Sequence, residues 1–265
     1  MARIIAISNQ KGGVGKTTTS VNLSACLAEA GHRVLVVDLD PQGNATSGLG
    51  IDKRALTQSM YDVLVREVPV AEMMKATDWP RLFVAGTNQN LVGAEIELAS
   101  MMAREHRLKD ALEQVDDQFD YVIMDCPPSL GLLTVNALTA AHSVLIPLQT
   151  EYFALEGLGS LTKTIQLIQR RLNPALEWEG VLLTLYDNRN KLCQEVNRDV
   201  RKHFGEKVFE QTIPRNVRLA ESPSFGMPII AYHPSAKGAM AYRKLSEELV
   251  EKNHGRRPMV HTRSA

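Results

Sequence analysis

Two lysines, two threonines and three aspartates sit where phosphate chemistry needs them. Lys11-Gly12-Gly13-Val14-Gly15-Lys16-Thr17-Thr18 is a glycine-rich loop. An apolar run, Ile4 to Ser8, leads into it, and a helical pattern from Lys16 to Ala30 leads out. Glycines here let backbone N–H groups close around phosphate oxygens, and the start of the following helix adds partial positive charge. In that setting Lys16 reaches β- and γ-phosphates and the Thr17 hydroxyl ligates Mg²⁺. Thr18 is placed to bond an α-phosphate. The loop departs from the usual GxxxxGK[ST] pattern: Gln10 stands at the first glycine position, and an extra lysine, Lys11, opens the glycine run. A mere surface turn would not bring strand, glycines, Gly-Lys-Thr and helix together.

The carboxylates lie at the ends of two further apolar runs. Asp38 closes Arg33 to Asp38, Asp40 follows two residues on, and Asp125 closes the run from Tyr121. A carboxylate at a strand end holds Mg²⁺ directly or through water. Asp125 is the expected magnesium residue, acting through water. Asp40 is placed to position or activate the attacking water. Asp38 is open to three readings: a part of the metal shell, a support for the next loop, or a strand-end cap. Residues 40–44 and 125–131 become switch I and switch II, loops ordered by the γ-phosphate.

The elements that position these residues alternate strand and helix. That predicts an α/β fold, a mostly parallel twisted sheet with helices on both faces. Ligands in such sheets sit beyond the carboxyl ends of the strands, where the loops after Ser8, Asp38 and Asp125 emerge. Residues 1–252 are expected to form a single domain, and 253–265 a polar, basic, disordered tail. Between the strands, 40–50 reads as loop, 70–76 as a short helix, 94–115 as continuous helix, and 213–228 as mostly loop.

Composition narrows the function classes. Lys+Arg and Asp+Glu are both 30 in 265 residues, so global charge predicts neither a nucleic-acid nor a membrane partner. The C-terminal third is locally basic, with Arg189, Lys191, Arg198, Arg201, Lys202, Arg215 and Arg218. Cys26, Cys126 and Cys193 include no CxxC pair, so neither a zinc site nor a disulfide framework is expected. No apolar stretch reaches the roughly 18 residues of a membrane span. The N-terminal apolar run is too short for a signal peptide. A cytoplasmic protein is expected.

The loop from Lys11 to Thr18 resembles the deviant Walker A signature, in which the early lysine crosses a dimer interface to the partner's nucleotide. A wider resemblance spans roughly residues 1–252. It is carried by KGGVGKTTT at 11–19, DLDPQGNATSGLG at 38–50 and GAEIELAS at 93–100. DCPPSLGLLTVNALTAA at 125–141, EYFALEGL at 151–158 and IPRNVRLAESPSFGMPI at 213–229 continue it. Together these identify the sequence as similar to the ParA/Soj chromosome-partitioning ATPases. The resemblance implies MgATP as cofactor, a homodimer formed on ATP binding, and non-specific DNA as the platform, hence a nucleoid-associated protein. It implies a ParB-like centromere-binding partner that stimulates hydrolysis. It places Pro214 and Asn216 near the adenine, and Arg189 and Arg218 at the DNA. Met227 and Ala231 depart from the family, where basic residues are frequent. A MinD-like membrane role would need an amphipathic C-terminal helix, and the sequence after Glu247 lacks a strong apolar face. An iron–sulfur role would need paired cysteines at the interface. No membrane partner is expected.

Overall fold

The computed structural model describes residues 1–151 and 154–254. Asn253 and His254, expected to open the disordered tail, instead close the last helix, Lys237–His254; the rest of that tail, 255–265, lies outside the described residues, as do Tyr152 and Phe153 of the segment at 151–158. Among the described residues one sheet has seven strands: β1 (Arg3–Ile7), β2 (Val34–Asp38), β3 (Lys75–Ala76), β4 (Leu82–Ala85), β5 (Tyr121–Asp125), β6 (Ser143–Gln149) and β7 (Glu177–Thr184). Their order is β3-β4-β2-β5-β1-β6-β7. Every neighbouring pair is parallel except β3 with β4.

Every residue of β2 and of β5 is buried, as a parallel strand covered on both faces requires. Side chains alternate between two apolar cores with the period-2 geometry of a strand. Ile4, Ala6, Leu35, Val37, Val122 and Met124 enter one core, which is closed by the helices Leu91–Leu98, Arg107–Glu113, Leu132–Ala140 and Ala154–Arg171. Ile5, Ile7, Val34, Val36, Tyr121 and Ile123 enter the other, closed by Lys16–Glu29 and Lys237–His254.

Register sets the site. Ile7 lies opposite Asp125 on one side, and Asp38 lies opposite Asp125 on the other. The three loops therefore leave the sheet at one level. Successive strands also depart from β1 to opposite sides, β2 to one and β6 to the other, and ligand crevices form at such a reversal. The first helix ends as its sequence predicts. Gly31, at φ 99°, follows the C-cap Ala30, the usual glycine stop.

Four segments differ from their sequence reading. Residues 40–50 contain a helix, Asn44–Gly48, entered through Gly43 at φ 60°. The helix at 70 stops at Met73, and Lys75–Ala76 pairs as an exposed edge strand. The 94–115 pattern breaks into Leu91–Leu98 and Arg107–Glu113. A buried side chain from another helix holds that break: Asn136 Oδ1 accepts from Leu108 N (3.1 Å) and Nδ2 donates to Arg104 O (2.8 Å). Within 213–228, Asn216 caps a helix, Val217–Glu221. The helix Leu132–Ala140 was not foreseen at all. Its almost continuous apolarity shows no 3.6-residue period, because it is buried nearly all round.

Candidate functional site

The glycine loop joins β1 to the helix Lys16–Glu29. Gly13 and Gly15 take φ of 74° and 87°, a conformation that side chains with a Cβ disfavour. A Cβ on Gly12 or Gly13 would meet nothing within 4 Å. The loop thus wraps open space with its backbone, the shape of a phosphate cradle. Two contacts hold it from outside. Thr184 Oγ1, at the end of β7, donates to Val14 O (2.8 Å). Asn9 Nδ2 donates to Pro147 O (2.7 Å), and Asn9 Oδ1 accepts from Lys11 N (3.0 Å).

The two lysines have different surroundings. Lys16 is buried, and its Nζ donates to Lys11 O (3.2 Å) across the loop. Burial lowers its pKa, opposed by the negative charge of Asp125 and, more weakly, Asp40. Lys11 reaches outward. Its side chain is 43% exposed, and Nζ lies 2.5 Å from Glu151 Oε2.

Asp125 and Asp38 are both fully buried. Ser20 Oγ donates to Asp125 Oδ1 (2.8 Å), while Asp125 Oδ2 is buried without a hydrogen-bond partner. Burial pushes the Asp125 carboxyl up, the neighbouring Asp38 charge raises it further, and the Ser20 and Thr17 hydroxyls oppose both. An unpartnered buried oxygen beside Thr17 fits Mg²⁺ or its water. No cluster of three His, Cys, Asp or Glu capable of holding a metal exists among the described residues. The remaining ligands would be phosphate oxygens and waters, the usual company of Mg²⁺.

Asp38 has other partners. Its Oδ2 accepts from Thr46 N (2.8 Å) and Thr46 Oγ1 (2.7 Å), and Oδ1 accepts from Asp40 N (3.2 Å). Burial raises its carboxyl, against the pull of those hydrogen bonds. Asp40 is half-buried, with Oδ1 accepting from Gln42 N (3.0 Å). Pro214 and Asn216 line a cleft of about 110 Å³ together with Gly15, Thr18, Thr184 and Tyr242. The expected base-side residues therefore meet the phosphate loop. Asn216 Oδ1 also accepts from Leu219 N (3.3 Å).

The basic residues divide. Arg189 is 86% exposed and grips Asp187 with Nε and a terminal nitrogen, each at 3.0 Å. It lines a groove of about 780 Å³ with Arg215, Lys237 and Lys244. Arg218 lies outside that lining and pairs with Glu221 (2.7 Å). Arg201 turns to Glu210 and the Phe209 carbonyl. Sequence reasoning missed Lys237 and Lys244, although their spacing of seven puts them on one helix face. It also missed Thr46, which bonds Asp38 from eight residues on, and Ser20 and Thr184, hydroxyl residues whose partners lie far along the chain. The three thiols are free and buried. Burial pushes Cys26 up to about 12 and raises Cys126, so they are poor metal-ligating thiolates.

Comparison with known proteins places the chain in a family. A family model described as an AAA domain matches residues 2–178. The sporulation initiation inhibitor protein Soj of Bacillus subtilis is 57% identical over 94% of this chain and 98% of its own length. The chromosome partitioning protein ParA of Myxococcus xanthus is 52% identical over 97% of this chain and 91% of its own. A solved structure of cobyrinic acid a,c-diamide synthase from Mycobacterium smegmatis, with bound ATP analogue and magnesium, superposes with a TM-score of 0.85. It is 41% identical and covers 97% of this chain and 98% of its own. With relatives this similar over nearly its full length, the chain belongs to the Soj/ParA family of chromosome-partitioning ATPases.

Proposed function

We propose that the chain is a DNA-dependent positioning ATPase working as an ATP-bound sandwich dimer. ATP and water are converted to ADP and phosphate. The loop N–H groups and Thr18 bind the phosphates, Pro214 and Asn216 flank the base, and Lys16 lies along the β- and γ-phosphates. Thr17 and Asp125 hold Mg²⁺, Asp125 through water. When bound, the ion neutralises phosphate charge. Asp40, half-buried at the mouth of the site, orients the attacking water. Asp38 supports switch I through Thr46 rather than the metal, since its oxygens already accept three hydrogen bonds.

Lys11 carries the dimer reading. It leaves the cradle that holds Lys16 and presents its ammonium at the surface, where a second copy's phosphates would meet it. A second cation there would stabilise charge in the transition state. Dimerisation would also double the groove of Arg189, Arg215, Lys237 and Lys244, so an electrically neutral chain would bind DNA phosphates only with ATP. Arg218 adds to that surface once released from Glu221. A ParB-like protein would stimulate hydrolysis and release the dimer from the nucleoid. Among the described residues no helix is long and apolar enough to cross a membrane. Residues 1–252 act as one domain in this reading.

The deciding experiment is binding to a random-sequence duplex at low salt with ATP, with ADP and without nucleotide. Binding only with ATP, weakening as salt rises, is the expected result. Equal binding in all three states, or none from protein that binds ATP, would overturn the reading.

A further inference from the structure

Glu95 lies on the helix Leu91–Leu98, on the core side of the sheet opposite the glycine loop's helix. Its Oε1 is buried without a hydrogen-bond partner. The other glutamate of that helix, Glu97, is engaged by the Tyr61 hydroxyl at 2.9 Å. Glu95 instead packs against Gly131. A Cβ built on Gly131 would fall inside the Glu95 carboxylate, 2.7 Å from its carbon. The backbone does not call for glycine there, since Gly131 has φ −77°, which any residue adopts. A side chain at 131 would have to displace the carboxylate from where it rests.

Gly131 is the last residue of switch II and the N-cap of the helix Leu132–Ala140, which has no side-chain cap. The first N–H groups of a helix lack partners within it, and the helix dipole favours a negative charge beside them. The Glu95 carboxylate lies against that terminus from a neighbouring element. The turn that leads into the same helix reaches the residue that anchors switch I from just beyond it. Thr87 N donates to Thr46 Oγ1 (3.0 Å), and Thr46 Oγ1 donates to Asp38 (2.7 Å). Between these contacts Leu91 and Ala94 are completely buried, so the segment cannot move piecemeal.

We propose that Glu95 is a positioning residue for switch II, and that the segment from Thr87 to Glu95 couples switch II to switch I. The proposal rests on Asp125 being the magnesium-side residue. Asp125 is fixed in β5, and Glu95 fixes the other end of the loop that begins there. A change at either switch is then transmitted through the turn that begins at Thr87 and the helix Leu91–Leu98 that it enters.

The test uses the full chain with Glu95→Ala, Glu95→Gln, Gly131→Ala and the Glu95→Ala/Gly131→Ala double variant. Steady-state hydrolysis, nucleotide affinity and amide hydrogen exchange without nucleotide are measured beside the unaltered protein. Glu95→Ala should lower kcat about twofold to fivefold, the typical range of a helix-terminus charge contact, with nucleotide affinity unchanged. Gly131→Ala displaces the flexible glutamate, so it should reproduce Glu95→Ala, and the double variant should be no worse than either. Glu95→Gln, which keeps the shape and loses the charge, should fall between. Exchange should quicken at 132–134 and at Thr46 together. Unchanged kcat and exchange in Glu95→Ala, additive losses, or a loss that merely follows a lowered Tm would overturn the proposal. An unaltered protein without hydrolysis would instead sink the ATPase reading, while the exchange data would still decide the Glu95 contact.

Discussion

Asp38 and Asp125 lie in register on adjacent parallel strands, both fully buried, and they differ in what meets their oxygens. Both oxygens of Asp38 are bonded, one by Asp40 of switch I and the other by Thr46 just beyond it, whereas one oxygen of Asp125 has no partner. The two substitutions should therefore separate. Asp38→Ala leaves the buried Thr46 N–H without its acceptor and should destabilise the chain by about 1–3 kcal/mol. Asp125→Ala removes a charge that burial already disfavours. It should leave Tm nearly unchanged or raise it, while abolishing Mg²⁺-dependent hydrolysis. Thermal melting and hydrolysis measured on both variants check this. Equal loss of stability in both would contradict the division.

Asn136 makes a purely structural case. Its side chain makes three hydrogen bonds, to Leu108 N, Arg104 O and Leu132 O, at 3.1, 2.8 and 2.9 Å. They stop the run from Leu91 from continuing as one helix. Asn136→Ala should lower stability by about 2–3 kcal/mol, since buried backbone groups are left unpaired. Denaturant unfolding reads this as a lowered midpoint with an unchanged m-value.

The same residue shows what sequence could and could not reveal. The glycine loop was legible because every residue of it is contiguous and its chemistry is local. The strand ends at Asp38 and Asp125 were legible because buried parallel strands are unbroken apolar runs. The division of 94–115 was hidden, because it is set by Asn136, about thirty residues away. The helix Leu132–Ala140 was hidden because burial on all sides erases its period. The groove of Arg189 was half legible. Its loop residues stood out as a basic run, but Lys237 and Lys244 come from the last helix, and only the tertiary fold adds them.

Cys26 and Tyr242 give the chain an alkaline weakness. Burial pushes the Cys26 thiol up to about 12 and raises the Tyr242 phenol as well. Both groups thus hold their protons more tightly folded than unfolded. Their contribution to stability is complete below the unfolded thiol value of about 8.5 and falls as pH rises toward the folded value. Stability should decline from about pH 8.5 upward. Cys26→Ala should decline less steeply by up to about 1.4 kcal/mol per pH unit. Parallel slopes for the two proteins between pH 8.5 and 11 would contradict the assignment.

Lys11 should be separable from Lys16 by what each variant loses. The Lys11–Glu151 pair is half exposed on both sides, and such pairs contribute about 0–1 kcal/mol. Lys11→Ala should therefore fold normally and bind nucleotide, yet fail to dimerise with ATP in sedimentation. Lys16→Ala should lose nucleotide binding itself. A Lys11→Ala protein that dimerises and hydrolyses normally would remove the cross-subunit role.

Arg189 and Lys244 line one groove from different elements, a loop and the last helix, so both should count phosphates in the same binding curve. Arg189 is held by Asp187, and DNA must compete with that carboxylate. Arg189→Glu replaces a cation by a repelling charge and should abolish ATP-dependent DNA binding, with the ATP-bound dimer intact. Lys244→Ala removes one phosphate contact without adding repulsion. It should weaken binding to all sequences alike and reduce the slope of log K against log salt by about 1. If Lys244→Ala left both affinity and slope unchanged while Arg189→Glu lost DNA, the contact surface would run from Arg189 toward Arg218 instead of along the groove.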